Sequence, residues 1–228
     1  MTDQNNKIRP NNSYSDAERN AVYRAIYERR DMRHFLPDPI DPIILTRLLN
    51  AAHQAPSVGF MQPWRFIRVS CPELRNAIYS LVEQERIQTA EALHERQDEF
   101  MKLKVQGILE CAEVFVAALC GEREQYIFGR RTLPEMDLAS LSCAIQNMWL
   151  AARAEGLGLG WVSMFEPEAL KICLNIPEDS HPVAIICLGH VNEFYDRPML
   201  EQEQWATRKD LKDLLFENTW NSPSQLMP

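Results

Sequence analysis

The stretch GLGLGWVSMF at residues 156–165 decides the fold class, because it joins a strong predicted helix to a strand through a glycine-rich turn. The helix is predicted from Pro134 to Ala154, with proline at a tolerated first-turn position and Gly156 just past the end. In dinucleotide-binding folds the glycines follow a strand and open a helix. The order here is the reverse. The glycines are instead expected to let a backbone approach a flat ring closely, with amides left to bond its edge.

The sequence on either side of this stretch alternates between helical and strand patterns. Ser15 to Glu18 reads as a capping box, which predicts a helix through about Arg29. The other predicted elements are a helix at 42–53, a strand at 64–70, two or three helices within 73–111, a strand at 113–120 and a last core strand at 183–189. With no internal repeat and no low-complexity linker, this order predicts one α+β domain, with a mixed sheet flanked by helices.

Both ends of the chain differ from this pattern. Residues 1–14 are polar and predict a disordered tail, so that the domain covers 15–228. After the last core strand the chain becomes polar and proline-bearing. The segment through Trp205 and Trp220 predicts an arm that packs elsewhere.

The composition is that of an ordinary soluble protein, with 46% hydrophobic and 25% charged residues. A net charge of −8 argues against a nucleic-acid partner or an anionic membrane, so any anion site must be local. The six cysteines show no zinc spacing, and the start of the chain lacks the apolar stretch of a secretory signal. No apolar run is long enough to span a bilayer, and a reducing, cytoplasmic location is expected.

A local anion site is indicated by Arg29-Arg30-Asp31-Met32-Arg33 at the end of the first helix. Guanidinium groups suit a mononucleotide phosphate, since they donate several charge-assisted hydrogen bonds in one plane. A basic helix end also stabilises the helix dipole, which would explain Arg29 and Arg30 without a ligand. Arg33 lies beyond the predicted helix end, and neither it nor Asp31 follows from that alternative.

Other polar residues give weaker signals. Ser57 lies in a loop after Pro56, where its hydroxyl suits a turn or a ligand oxygen. Ser163 is expected on a strand next to the glycines, either as a satisfied small residue or near a ligand. The histidines have no second ligand at helical spacing, so no metal site is predicted. No Gly-x-Ser-x-Gly motif occurs, which disfavours a serine triad.

Taken together, four motifs resemble the FMN-dependent nitroreductase superfamily over about residues 23–197. They are the arginine cluster at 29–33, the loop from Ala-Pro-Ser to Gln-Pro-Trp at 55–64, the helix DLASLSCAIQNMWLAA at 137–152, and the strand from Gly-Leu-Gly to Trp-Val-Ser at 156–163. The resemblance implies a nitroreductase-like fold and an intertwined homodimer with FMN at the subunit interface.

Two departures from the usual nitroreductase motifs indicate one branch of the superfamily. Phe60 stands where the usual loop has Asn, and Asp31 stands where the usual cluster has Ser. With the segment Phe128–Asp137, these substitutions look like the branch of the superfamily that fragments reduced FMN with O2 to form 5,6-dimethylbenzimidazole, the lower axial base of cobalamin. In that branch the flavin is a substrate, and a separate flavin reductase supplies it in reduced form.

The resemblance also implies residue roles. Asp31 and Ser163 would be the catalytic pair, and Asp31 would stay ionised beside the arginines and act as a base. Phe60 would make the pocket more apolar and help to exclude water. Arg29, Arg30 and Arg33 would hold the FMN phosphate and ribityl chain, Ser57 would bond the flavin, and Arg197 would add a phosphate contact. Asp31 and Met32 complete the set of residues expected to contact the flavin.

Two other classes of function stay open at this point. An ordinary NAD(P)H-dependent nitroreductase or quinone reductase needs an accessible flavin face, which the long 73–111 segment could close. A flavin carrier would bind FMN tightly without turnover.

Overall fold

The computed structural model describes residues 12–226. Most of the tail predicted at 1–14 therefore lies outside the described residues. The chain divides into two compact units, one ending at Phe194 and the other beginning at Tyr195. The prediction of a single domain over 15–228 with a C-terminal arm stays a prediction.

The first unit contains a four-stranded sheet and the helices that pack on it. Its helices are α1 (Asp16–Glu28), α2 (Pro42–His53), α3 (Pro72–Ala92), α4 (Gln97–Lys102), α5 (Met136–Ala154) and α6 (Pro167–Leu174). Its strands are β1 (Trp64–Arg68), β2 (Glu113–Leu119), β3 (Gly158–Val162) and β4 (His181–Gly189).

Local sequence signals fix the helix ends. The Ser15 side chain accepts a hydrogen bond from the Glu18 amide, and the Glu18 carboxylate accepts one from the Ser15 amide at 2.9 Å, which confirms the capping box. At the far end of α5, Gly156 adopts a φ of +77°, where a side chain would be strained. The Leu157 amide then reaches back to the carbonyl of Ala152 at 2.8 Å, and the chain reverses into β3.

The strands are ordered β1-β2-β4-β3, and each neighbouring pair runs antiparallel. Every residue of β2 is buried, as expected for an interior strand. The four strands form an antiparallel sheet, and an isolated parallel bridge joins Asp31 to Leu159 at the outer edge of β3. The α+β class predicted from the sequence is confirmed.

The main core lies where α2 and α5 pack on the sheet. One face of α5 is fully buried, because its apolar side chains recur at helical spacing: Leu141, Ala144, Ile145, Met148 and Ala152. Helix α5 is thus anchored in the core, and its Trp149 and Ser140 contact the two segments of the candidate site.

Two boundaries differ from the sequence prediction. Helix α5 begins at Met136, two residues after the predicted Pro134. Strand β3 begins at Gly158, so two of the glycines lie inside the strand and not in a turn before it. The strand ends at Val162, and Ser163, predicted as a strand residue, is exposed just beyond it.

The second unit is small and irregular. It contains the short helix α7 (Met199–Gln202) and an isolated antiparallel bridge between Phe216 and Pro223. The rings of Phe216 and Trp220 pack with centroids 5.3 Å apart. Across residues 12–226, no helix is both long and apolar enough to cross a membrane.

Candidate active site

The chain leaves α1 at Arg29 and runs along the outer edge of β3. The amide of Met32 donates to the carbonyl of Leu159 at 3.0 Å, which pins the segment to the strand. Gly160 makes this approach possible, because a Cβ there would overlap the carbonyl oxygen of Met32. The glycines were predicted to admit a flat ring, but Gly160 admits the backbone of the arginine cluster itself.

Asp31, Arg33 and the backbone of Trp161 form a closed hydrogen-bonded triangle. The Trp161 amide donates to Oδ1 of Asp31 at 2.9 Å. Nη2 of Arg33 donates both to Oδ2 of Asp31 at 2.6 Å and to the Trp161 carbonyl at 2.8 Å. The Trp161 amide, which directly follows the glycines, is therefore used by the carboxylate and not by a ring.

The pKa of Asp31 is raised, because burial of the carboxyl outweighs the Arg33 charge, the Trp161 amide and the Arg29 charge, all of which lower it. The neighbouring arginines alone would lower this pKa, as expected from the sequence, but the burial is a tertiary effect. The raised pKa makes the carboxylate a stronger base than an ordinary aspartate. The side chain is still 43% exposed, so it is open to a ligand.

Trp149 of α5 organises the other two arginines. The guanidinium of Arg29 lies over the indole ring, 4.5 Å from its centroid, in a cation–π contact. The indole Nε1 donates to the carbonyl of Arg30 at 3.1 Å. One aromatic residue therefore fixes the turn between α1 and the edge segment, a role that the sequence argument did not assign.

Ser57 is not brought together with the arginines. Its hydroxyl accepts a hydrogen bond from the Gln62 amide at 3.0 Å, which is the turn role considered from the sequence. The next amide, of Val58, donates to the Ser140 hydroxyl of α5 at 3.0 Å. Ser140 and Trp149 are nine residues apart on α5, or about 13 Å along the axis. The Ser57 loop and the arginine cluster therefore contact α5 at different positions along its axis.

The Ser57 loop presents an aromatic residue to solvent. Gly59, Phe60 and Gln62 all adopt positive φ, a strained conformation for Phe60 and Gln62 that is typical of functional loops. The Phe60 side chain is 83% exposed. Phe128 is also exposed, and its carbonyl packs against Gly59, so the two phenylalanines sit on adjoining loops.

A buried ion cluster, which the sequence argument missed, supports the Phe128 loop. Asp137 accepts hydrogen bonds from Nε of Arg123 at 2.9 Å and from Nη2 of Arg130 at 3.1 Å. The side chains of Arg130 and Asp137 are 4% and 8% exposed. Arg130 also bonds the carbonyls of Arg123 and Pro134. The signal available in the sequence was the pair of opposite charges, Arg123 and Asp137, on either side of the Gly129-Arg130 turn.

The remaining predicted residues are less informative. Ser163 lies two residues beyond Trp161 and is exposed. Arg197 belongs to the second unit, where its carbonyl accepts from the Gln202 side chain at 3.1 Å. Its predicted phosphate contact stays a prediction. Among the described residues, no group of three or more His, Cys, Asp or Glu side chains could hold a metal ion.

The donor set of the 29–33 segment fits a flavin mononucleotide. The segment carries three guanidinium groups, and those of Arg29 and Arg30 can supply the cationic donors that a phosphate needs. Asp31 supplies a half-exposed carboxylate beside them. The Trp161 backbone and the indole of Trp149 tie the segment to β3 and α5.

Comparison with known proteins identifies the family of the chain. The model of the nitroreductase family matches residues 26–190, and the chain belongs to that family. It is similar to 5,6-dimethylbenzimidazole synthase of Rhodospirillum rubrum, with 41% identity over 185 residues that cover 79% of this chain and 87% of the relative.

Two solved structures share the fold. A BluB-like flavoprotein from Clostridium difficile 630 has a TM-score of 0.67 and 16% identity, and the match covers 87% of this chain and 99% of that one. Oxidised iodotyrosine deiodinase bound to FMN and 3-iodo-L-tyrosine has a TM-score of 0.68 and 20% identity, with 87% and 100% covered. The nitroreductase-like fold expected from the sequence is confirmed.

Proposed function

We propose that this protein is a 5,6-dimethylbenzimidazole synthase, which fragments reduced FMN in the presence of O2. The observation that carries the proposal is the half-exposed carboxylate of Asp31, held among arginines by the backbone of Trp161. An acid at this place weakens a phosphate site unless it has chemistry of its own. The 41% identity to a relative with this activity in its name supports the same function.

Arg29 and Arg30 are proposed to hold the FMN phosphate and ribityl chain, and Arg33 is proposed to line the site beside Asp31. The Met32 side chain is buried, and its predicted flavin contact stays a prediction. The stack of Arg29 on Trp149 fixes the direction of its guanidinium before the ligand arrives. Such preorganisation lowers the entropy cost of binding. Ser57 and Arg197 are proposed to add flavin contacts.

Bound reduced FMN supplies the electrons for O2 and the carbon atoms of the product. Asp31 is proposed to accept a proton from the ribityl C1′ or from the ring. Its raised pKa makes it a stronger base than an ordinary aspartate, and the driving force for proton transfer increases with basicity. Ser163 is proposed to donate a hydrogen bond near the reacting ring. Phe60 is proposed to cover the site and exclude water.

A homodimer is part of the proposal. Helix α1 has no buried residue, although its apolar side chains line one side: Val22, Tyr23, Ile26 and Tyr27 are all exposed. The Ser57 loop also lies at a different level of α5 from the arginines. A second copy that covers α1 and brings its own Ser57 loop to the cluster accounts for both features. A separate flavin reductase and a cytoplasmic location complete the proposal.

The test is to incubate the purified protein with excess FMN and a chemical reductant in air, and to look for 5,6-dimethylbenzimidazole by mass spectrometry. We expect the amount of product to increase with the concentration of protein, and we expect no product to form when O2 is removed. Absence of product, with rapid bleaching of bound flavin by low NADPH under anaerobic conditions, would identify an ordinary reductase instead. Tight FMN binding without turnover would identify a carrier.

A further inference from the structure

We propose that Arg33 is a positioning residue for Asp31 and does not bind the phosphate of the flavin. This inference rests on the proposed function, because it assigns Asp31 as the base. It separates Arg33 from Arg29 and Arg30, although all three belong to one basic motif. The separation follows from the contacts that each guanidinium makes.

The Arg33 guanidinium is turned toward the protein. Its Nη2 carries two hydrogens, and they meet Oδ2 of Asp31 at 2.6 Å and the carbonyl of Trp161 at 2.8 Å. Its Nη1 lies against the strand, 2.9 Å from the place where a Cβ of residue 160 would stand. The side chain is only 11% exposed, against 43% for Asp31. The Nη2 donors are therefore already engaged by Asp31 and Trp161, and Nη1 is buried against the strand, so neither nitrogen is presented to a phosphate.

The same Trp161 peptide holds both members of the pair. Its N–H fixes Oδ1 of Asp31, and its carbonyl fixes Arg33. The strand therefore holds one carboxylate oxygen in position, and the arginine holds the other. Loss of Arg33 frees one oxygen of Asp31 and removes a positive charge from its surroundings.

In the described part of the chain, the charged and titratable groups that face Asp31 are two arginines and one thiol. Arg33 and Arg29 come from its own segment, and the thiol of Cys187 comes from β4. Strand β3 contributes only the neutral Trp161 amide. Of the groups that lower the pKa of Asp31, Arg33 has the largest effect. Its removal should therefore raise that pKa further.

The first experiment compares the affinity of the protein for oxidised FMN with its affinity for oxidised riboflavin, which lacks the phosphate. We expect R33Q and R33K to keep the wild-type ratio of the two affinities within about threefold. The control R29Q should lower the ratio by about tenfold or more, as expected for a lost charged hydrogen bond. A fall in the R33Q and R33K ratios to the R29Q level would overturn the proposal. No turnover is needed for this measurement, so it stands even where no dimethylbenzimidazole is formed.

The second experiment measures dimethylbenzimidazole formation against pH. We expect the acidic midpoint of R33Q to lie about one pH unit above that of the wild type. R33K retains the charge and should shift less, and it also serves where R33Q does not fold. R29Q should lower the apparent affinity for reduced FMN with a smaller change in the midpoint. An acidic midpoint that stays at the wild-type value in both Arg33 variants would contradict the positioning role.

Discussion

The backbone amide of Trp161 donates a 2.9 Å hydrogen bond to the carboxylate of Asp31, across 130 residues of sequence. This bond ties the end of the first helix to the outer edge of the sheet. It fixes one carboxylate oxygen without using a side chain, and it leaves the group half exposed. A base held in this way needs no rearrangement before it meets a ligand.

Asp31→Asn should keep FMN binding but abolish product. The amide oxygen can still accept from Trp161 and the Met32 amide keeps its bond to Leu159, so the segment keeps its place. The amide NH2 cannot accept from Arg33, and the side chain can no longer take up a proton. We expect product formation to fall by about 100-fold or more, the usual contribution of a general base. Mass spectrometry measures the product, and fluorescence titration measures the affinity for oxidised FMN. Unimpaired product formation would refute the role of Asp31.

The pKa of Asp31 should lie above the ordinary value of 3.8, because burial outweighs the nearby positive charges. The ionised form is then disfavoured by folding. The contribution of this group to stability is therefore greatest below the ordinary value and is lost as the pH rises through the raised pKa. Carbon-13 NMR titration of aspartate side chains, compared with Asp31→Asn, measures the value. Titration of Asp31 at or below 3.8 would contradict the prediction.

Gly160→Ala should damage the site, whereas Gly158→Ala should be milder. The new methyl group at 160 meets the main-chain oxygen of Met32, which cannot move without displacing Asp31. The methyl group at 158 meets the side chains of Val191 and Met32, which can shift. We expect Gly160→Ala to lower the free energy of unfolding by about 1–3 kcal/mol and to weaken FMN binding. Urea denaturation and flavin titration check both variants, and equal effects would count against this account of Gly160.

Asp137→Ala should destabilise the protein strongly. It leaves Arg123 and the buried Arg130 without the carboxylate that they share, and breaking a buried ion pair costs about 3 kcal/mol or more. The matched control is Glu99→Ala, which breaks an exposed pair with Arg96 and should leave stability essentially unchanged. The free energy of unfolding in urea is the measurement. A small effect of Asp137→Ala would mean that the cluster does not support the Phe128 loop.

The helices and most strands could be predicted from local signals. The capping box at Ser15 and the Pro42–His53 helix are confirmed, because caps and apolar periodicity act within a few residues. The start of β3 was misplaced. Glycine usually marks a turn, but Gly158 and Gly160 are in the strand because another backbone packs on them.

The site could be predicted in composition but not in its contacts. The arginines and Asp31 were identified as a cluster, yet the bond from Trp161 joins residues far apart in sequence. The rise in the pKa of Asp31 also depends on tertiary burial, which no local pattern reports. The role of Trp149 was missed for the same reason, since an indole on a buried helix face has the same pattern as any core residue.

The central claim is that the Asp31 carboxylate, fixed by Trp161 and Arg33, faces the flavin that it helps to dismantle. A crystal structure of the protein with FMN bound tests this most directly. The account predicts that the carboxylate lies within roughly 3–4 Å of the isoalloxazine ring or the ribityl chain, close enough for proton transfer directly or through one water. A carboxylate that points into bulk solvent, away from both ring and sugar, would contradict it.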